Sequence, residues 1–149
     1  MRALVQRVRH AAVDVDDETV AEIGPGLLVF VGVGRADTAD HARKLAEKVV
    51  GLRVFSDGER SMNRSVADVG GEILLVSQFT LYADTRRGRR PSFEPAAPPD
   101  EAQALYRSFA EALTELGFPP KEGIFGANMQ VRLQNDGPVT LWLEYPSGV

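Results

Sequence analysis

The chain has 149 residues, of which 44% are hydrophobic, and a formal net charge of −4. This length is typical of one domain with one buried core, so we expect a single domain over residues 1–149. Cysteine is absent, which excludes disulfide scaffolds, thiolate nucleophiles and cysteine-ligated metals, and the acidic balance argues against coating nucleic acid by overall charge.

Nothing in the sequence points to a membrane or an export signal. The N-terminal stretch has no apolar signal core, and the longest apolar run, Leu27–Val31, is far too short to span a bilayer. We therefore expect a cytoplasmic protein that has no membrane partner.

Strand-like segments dominate the first third of the chain. Ala3–Val8 and Ala12–Val15 have the composition of strands, and Thr19–Ile23 follows as a hairpin partner. Gly24-Pro25-Gly26 is a turn by composition. Leu27–Val33 is apolar on both alternating faces, which is typical of a strand buried on both sides.

Two helices are predicted. The first follows Asp37 and Thr38, both good N-caps, and extends to about Val50 with apolar residues at helical spacing. The second runs from about Asp100 to Leu116, and its start carries a candidate capping box.

The segment between the helices combines strands with irregular stretches. Arg53–Phe55 is compatible with a short strand, and the polar Ser56–Val69 is predicted to be a loop. Glu72–Val76 is a strand candidate that continues directly into Ser77–Leu81. Asp84–Pro99 is long, irregular and rich in arginine and proline, and loops of that length are often functional.

The C-terminal part is predicted to be two strands joined by a turn. Apolar and polar residues alternate over Met129–Gln134, Asn135–Pro138 has the composition of a hairpin turn, and Val139–Leu143 follows. The order of elements predicts the α/β class, with a mixed sheet in barrel-like layers covered by two helices.

Familiar catalytic arrangements are missing from this sequence. His10 and His41 are its two histidines, and neither lies in a motif with a nucleophile, as a Ser-His-Asp site requires. There is no P-loop, dinucleotide-binding motif or carboxylate pair. We therefore expect that an enzyme with this sequence works without an ordinary side-chain base, and with no metal and no cofactor.

Ser77-Gln78-Phe79-Thr80 places two hydroxyls and an amide directly after a buried strand. In one interpretation these groups only satisfy backbone groups where the strand ends. In the other they border a cleft, where backbone N–H groups stabilise an oxyanion and Thr80 or Ser77 lies near the scissile bond. Composition alone leaves both interpretations open.

Two further motifs can bind ligands. Four arginines within the five residues Arg86–Arg90 form a candidate phosphate-binding loop, with a solvated loop as the alternative. Phe79, Tyr82 and Phe93 either stack on an unpaired base or belong to the core.

Gly137-Pro138 is either an ordinary turn or, if its peptide bond is cis, a rigid pair of carbonyls that can hold an ammonium group.

Together these motifs resemble one family. SQFTLYAD at 77–84, RRGRRPSF at 86–93 and NDGPVT at 135–140 are similar to segments of the D-aminoacyl-tRNA deacylases, formerly called D-tyrosyl-tRNA deacylases. MRALVQRV at 1–8 and FGANMQV at 125–131 also fit, so the resemblance covers nearly the whole chain.

The resemblance implies a three-layer homodimer that hydrolyses the ester joining a D-amino acid to the 3′-terminal adenosine of tRNA. It also implies removal of glycine mischarged on tRNA-Ala and rejection of L-aminoacyl groups. In the family the Gly-Pro bond is cis, and its loop enters the partner subunit's pocket, where it captures the amino group and leaves no space for an L side chain. The alternatives are a non-catalytic tRNA-binding module and a purely structural dimer.

Site residues follow from the same resemblance. The implied catalytic residues are Ser77, Gln78, Phe79 and Thr80. The implied substrate-binding residues are Gly137, Pro138, Met129 and Gln6. We expect Arg86, Arg87, Arg89 and Arg90 to bind acceptor-stem phosphates. Thr80 has been regarded as a nucleophile in the family, and a role for the 2′-hydroxyl of the RNA is the competing view. The bottom-up argument favours the second view, because no visible base activates Thr80.

Overall fold

The structure is a computed structural model that describes residues 1–60 and 62–147. Within these ranges the strands are β1 Arg2–Val15, β2 Glu18–Ile23, β3 Gly26–Gly32, β4 Glu72–Ser77, β5 Lys121–Glu122 and β6 Gln130–Glu144. The helices are α1 Ala39–Gly51, α2 Val66–Val69 and α3 Pro99–Glu115, and a 3₁₀ helix covers Phe79–Tyr82.

All of these strands belong to one mixed sheet. β1 pairs antiparallel with β2 and β3 along one edge and with β6 along the other. β3 pairs parallel with β4, and β4 pairs parallel with β5. β2 also approaches β4 and β5, so the sheet curves into a nearly closed, barrel-like form. This arrangement confirms the predicted α/β class.

The sheet buries residues on both of its faces. Leu27, Val29 and Val31 of β3 pack toward the helices in one apolar cluster, which also contains Leu45 of α1 and Phe109 of α3. The intervening Leu28 belongs to a second cluster with Leu74 and Val76 of β4 on the other face. Because side chains alternate across a strand, β3 reads as a continuous apolar run, as predicted.

β1 is one strand of 14 residues, whereas the sequence pattern predicts two shorter ones. Its pairing with β6 shifts register on both sides of Val8, between Gln6 and His10. These irregularities interrupt the alternation of apolar residues, although the backbone pairing continues. The two predicted strands are therefore halves of one element.

The hairpin turn predicted at Asn135–Pro138 is wrong, because β6 continues through it. Both halves of β6 pair antiparallel with β1: Thr140 opposes Gln6, and Asn135 opposes Val8. Residues 136–139, which lie between these two pairs, have no pairing partner in β1. They leave the strand as an enlarged bulge, so local turn chemistry here produces a protrusion and no reversal of the chain.

The helix starts differ in how they are capped. α1 begins as predicted, with the Thr38 hydroxyl accepting a hydrogen bond from the His41 N–H. The capping box predicted at Asp100 is wrong: Pro98 is the N-cap of α3 and gives no side-chain hydrogen bond, and Pro99 occupies the first helical position. Proline suits that position because its fixed φ is already helical and its missing N–H would have no partner there.

The segment between α1 and β4 also differs from prediction. The strand predicted at Arg53–Phe55 is wrong, since Phe55 makes only an isolated bridge with Arg64. The predicted loop at Ser56–Val69 ends in the short helix α2, where the Ser65 hydroxyl accepts a hydrogen bond from the Asp68 N–H at 3.2 Å. Ser61 lies outside the described residues.

Candidate active site

A cavity of about 620 Å³ opens where the end of β4 faces the start of α3. Ser77, Gln78 and Phe79 line it from the end of β4, and residues 125–129, including Met129, line it from the other side. Four of the predicted site residues therefore meet in one space. Most of the remaining lining is apolar, as is usual for small-molecule sites.

The backbone after β4 leaves two N–H groups without an acceptor, one on the cavity-lining Phe79 and one on the next residue, Thr80. In the 3₁₀ helix, Leu81 N–H bonds the Gln78 carbonyl at 3.2 Å and Ala83 N–H bonds the Thr80 carbonyl at 3.0 Å. The N–H groups of Phe79 and Thr80 come first in this helix, where no preceding carbonyl is in register to accept them. Within residues 1–60 and 62–147 neither finds another acceptor, so both can bind an oxygen of a ligand.

Thr80 has no base beside it. Its side chain is exposed, and its hydroxyl accepts a hydrogen bond from the Gln78 side-chain amide. In the described part of the chain no carboxylate or imidazole bonds this hydroxyl. An amide cannot remove a proton, so the geometry offers no activation of Thr80 as a nucleophile. Thr80 also stands outside the residues that line the cavity.

Two aromatic rings form one edge of the cavity. Phe79 and Phe93 pack edge to face, with their ring centroids 5.0 Å apart. Phe79 is 55% exposed and Phe93 is 37% exposed, whereas Tyr82 is only 9% exposed. The sequence left the role of these three rings open; in the structure Tyr82 belongs to the core, and Phe79 and Phe93 are available to a planar ligand.

The β6 bulge presents Gly137 and Pro138 to solvent. Gly137 has φ +119°, a conformation that favours glycine, and the peptide bond that follows it is cis. Neither residue lines the cavity of its own chain. The predicted substrate-binding pair and the predicted catalytic segment are therefore separate within one subunit.

Arg7 holds this bulge in place. Its Nε donates to the Asp136 carbonyl at 3.0 Å, and its guanidinium also bonds the Val54 carbonyl. The Asn135 side-chain amide donates to the carbonyls of Arg7 and Val139, both at 3.0 Å. A Cβ atom at Gly137 would overlap the Arg7 guanidinium. Sequence reasoning did not single out Arg7, because only the register of β1 against β6 places it under the bulge.

Gln6 lies beside the bulge and away from the cavity. Its side-chain amide donates to the Thr140 hydroxyl at 3.1 Å, across the β1–β6 pair. The predicted substrate-binding residues thus form two groups within one chain. Met129 lies in the cavity, and Gln6, Gly137 and Pro138 lie together on the sheet.

Backbone hydrogen bonds close the base of the arginine loop, residues 86–90, and the four arginines of this loop differ in their ion pairing. Asp84 and Ser92 exchange two backbone hydrogen bonds, of 2.7 and 2.9 Å. Arg86 pairs with the Asp84 carboxylate through two contacts of 2.9 Å, and these hydrogen bonds and its charge lower the pKa of Asp84 to about 2. Arg87, Arg89 and Arg90 are exposed, and none of them has an ion pair among the described residues.

The described residues contain neither a candidate metal cluster nor a candidate membrane-spanning helix. No group of three or more acidic or histidine side chains is placed to hold a metal ion. No described helix combines the length and apolar character needed to cross a membrane.

A family model described as D-Tyr-tRNA(Tyr) deacylase matches residues 4–144. This chain belongs to that family. It is 57% identical over 144 residues to a D-aminoacyl-tRNA deacylase of Thermotoga petrophila, covering 97% of both chains. It is 55% identical to one of Deinococcus radiodurans, covering 97% of this chain and 99% of the relative.

Two solved structures have the same fold. The c-Myc DNA unwinding element binding protein is 43% identical, with a TM-score of 0.93 over 99% of this chain and 100% of the other. A probable eukaryotic D-amino acid tRNA deacylase is 19% identical, with a TM-score of 0.82 over 95% of this chain and 97% of the other. The second likeness concerns the fold alone.

Proposed function

We propose that this chain hydrolyses the ester bond of D-aminoacyl-tRNA and of glycine mischarged on tRNA-Ala, and that it rejects L-aminoacyl groups. Membership of the deacylase family supports the reaction class. The observation that carries the mechanism is the pair of free N–H groups of Phe79 and Thr80 beside the cavity. We further propose that the enzyme acts in the cytoplasm, where charged tRNA is used.

In the proposed mechanism the main chain stabilises the transition state. Attack on the ester carbonyl puts negative charge on its oxygen, and the N–H groups of Phe79 and Thr80 bind that oxyanion. An aminoacyl ester is already activated, so positioning of the attacking water adds much of the remaining acceleration. Because Thr80 lacks a base, we assign the proton transfer to the 2′-hydroxyl of the terminal ribose. It relays a proton from the attacking water to the departing 3′ oxygen as the ester C–O bond breaks, which gives the free amino acid and tRNA.

Chiral selection needs three fixed points, since D and L residues carry the same groups. The ester and the amino group supply two, and a wall at the place of the L side chain supplies the third. We propose that Gly137 and Pro138 supply both the wall and the carbonyls that accept the ammonium group. Glycine has no side chain to obstruct, so it is accepted.

This role requires a homodimer. Gly137 and Pro138 are exposed and lie outside the cavity of their own chain, so a second copy has to bring them to Ser77–Thr80. Arg7 and Asn135 fix the bulge before any partner arrives. A preformed projection loses little conformational entropy on docking, which suits it to enter a partner's cavity.

A single assay tests the proposed function. The chain is incubated with D-tyrosyl-tRNA, L-tyrosyl-tRNA and glycyl-tRNA-Ala, and the free amino acid is measured against spontaneous hydrolysis. We expect release from the D and glycyl substrates and none above background from the L substrate. Binding of all three without release would instead support the alternative, a non-catalytic tRNA-binding module.

The tRNA contact is proposed to involve the arginine loop and the two exposed rings. Arg87, Arg89 and Arg90 bind acceptor-stem phosphates, and Phe79 with Phe93 stacks on the terminal adenine. Arg86 contributes less in the unbound protein, because its guanidinium is already paired with Asp84.

Neutralising the loop should therefore change the salt dependence of tRNA binding. For the triple variant Arg87→Ala, Arg89→Ala and Arg90→Ala we expect the slope of log K against log[salt] to fall by about 3, roughly one for each lost phosphate contact. Arg43→Ala on α1, an arginine paired with Asp40 and Glu47, is the control. An unchanged slope in the triple variant would contradict the assignment.

A further inference from the structure

A carboxylate outside the cavity joins several parts of the fold. The Asp37 side chain is 6% exposed and accepts hydrogen bonds from the Gly34 N–H at 2.6 Å and the Tyr82 hydroxyl at 3.3 Å. These two bonds reach Oδ2 of Asp37, and its Oδ1 contacts the Met1 amino group at 2.6 Å and the His41 ring at 3.0 Å. Both oxygens of Asp37 are therefore engaged.

Two of these partners belong to segments that frame the cavity. Gly34 forms a bridge with Ala96, and Ala97 N–H bonds the Val33 carbonyl at 2.9 Å, so the Gly34 segment carries one cavity wall. Tyr82 ends the 3₁₀ helix that begins with Phe79. Asp37 thus connects the wall to the segment that holds the free N–H groups.

The 3₁₀ helix is also held from two other sides. The Tyr82 ring lies so close to Gly34 that a Cβ atom there would come within 2.8 Å of it. The Arg2 guanidinium lies 4.3 Å from the Tyr82 ring centroid and donates to the Leu81 carbonyl at 2.9 Å. Displacing Tyr82 would therefore move the backbone of the 3₁₀ helix.

The protonation states suit this arrangement. Burial by itself would raise the pKa of Asp37, but hydrogen bonds from the Met1 amino group, Gly34 and His41 outweigh it, and the pKa lies below its usual range. Burial and the Asp37 charge raise the pKa of Tyr82. At neutral pH Asp37 accepts and the Tyr82 hydroxyl donates.

We propose that Asp37 and Tyr82 are positioning residues for the deacylase reaction. They hold the N–H groups of Phe79 and Thr80 at a fixed orientation to the opposite cavity wall, and neither touches the substrate. The inference rests on the proposed oxyanion role of those N–H groups, so it needs a test of position that is independent of catalysis.

Tyr82→Phe removes one hydroxyl and keeps the ring. We expect kcat on D-tyrosyl-tRNA to fall by about five- to tenfold with KM within about twofold, as for the loss of one ordinary hydrogen bond. Tyr106→Phe is the matched control, because Tyr106 is also buried and its hydroxyl donates to Glu122 at 2.8 Å. We expect its kcat to stay within about twofold of the wild type.

Amide hydrogen exchange of Leu81 and Ala83 supplies the independent readout, since their N–H groups close the 3₁₀ turn. In Tyr82→Phe we expect both amides to exchange about five- to tenfold faster, with Tyr106→Phe unchanged there. Asp37→Asn, if it folds, should act in the same direction and more strongly.

The outcomes separate the two proposals. Unchanged exchange in Tyr82→Phe would overturn the positioning role, whatever happens to kcat. Faster exchange with unchanged kcat would support the conclusion that Asp37 and Tyr82 hold the 3₁₀ helix in place. It would overturn the oxyanion role of the Phe79 and Thr80 N–H groups. A fall in kcat that Tyr106→Phe reproduces would mean a general loss of stability, and would overturn the inference.

Discussion

Alanine at Gly137 is expected to lower the ratio of D- to L-aminoacyl-tRNA hydrolysis by about a hundredfold or more, equivalent to roughly 2.7 kcal/mol. Gly137 has φ +119°, and a Cβ atom there would overlap the Arg7 guanidinium, so the bulge has to move. Under the proposed filter, we expect displaced carbonyls to bind the ammonium group poorly and slow the D reaction, and a displaced wall to admit the L side chain.

The measurement is kcat/KM for D- and L-tyrosyl-tRNA with the same tRNA preparation. Gly24→Ala is the control, because Gly24 also precedes a proline and a Cβ atom there would make only an ordinary contact, 3.8 Å from the Glu72 carboxylate. We expect Gly24→Ala to keep the wild-type ratio. Pro138→Ala is a second probe, since it removes the ring that we propose forms the wall and should raise L hydrolysis.

Unchanged selectivity in both Gly137→Ala and Pro138→Ala would contradict the chiral filter. A monomeric wild-type protein with full selectivity would contradict the contribution of the partner subunit, because the bulge lies outside its own cavity. Sedimentation of the active enzyme at assay concentration shows whether it is a monomer or a dimer.

Removing one backbone N–H is expected to have the second large effect. Phe79→Pro deletes a proposed oxyanion donor, and proline is tolerated at the first position of a helical turn. We expect kcat for D-tyrosyl-tRNA to fall by about 10²–10³ relative to Phe79→Ala, which loses the same ring but keeps the N–H. The comparison of these two variants isolates the donor from the aromatic side chain.

Thr80→Ala provides the contrast, because it keeps its N–H and loses only the hydroxyl. We expect its kcat to stay within about tenfold of the wild type, since no base activates that hydroxyl. Near-complete inactivation of Thr80→Ala with an intact fold would return Thr80 to the role of nucleophile. Equal activity in Phe79→Pro and Phe79→Ala would remove the N–H group of Phe79 from the mechanism. Single-turnover hydrolysis of D-tyrosyl-tRNA measures both comparisons, Thr80→Ala against the wild type and Phe79→Pro against Phe79→Ala.

Local patterns were reliable where one physical rule dominates. The doubly apolar run in β3 and the Thr38 cap of α1 were both predicted correctly, because burial on two faces and capping depend on nearby residues. The prediction at Asn135–Pro138 was wrong although its turn composition is strong. Pairing of β1 with both halves of β6 keeps the direction of the strand there.

The sequence by itself determined the two long helices, strands β2, β3 and β4, the mixed sheet and the family resemblance, because periodicity and motifs are properties of neighbouring residues. Tertiary structure alone decided which residues of each motif are exposed to a ligand. It buried Tyr82 against Asp37 and left Phe79 and Phe93 exposed beside the cavity. It also separated Gly137 and Pro138 from Ser77–Thr80 within one chain. These outcomes depend on strand register and packing between residues far apart in the chain, which local composition does not encode.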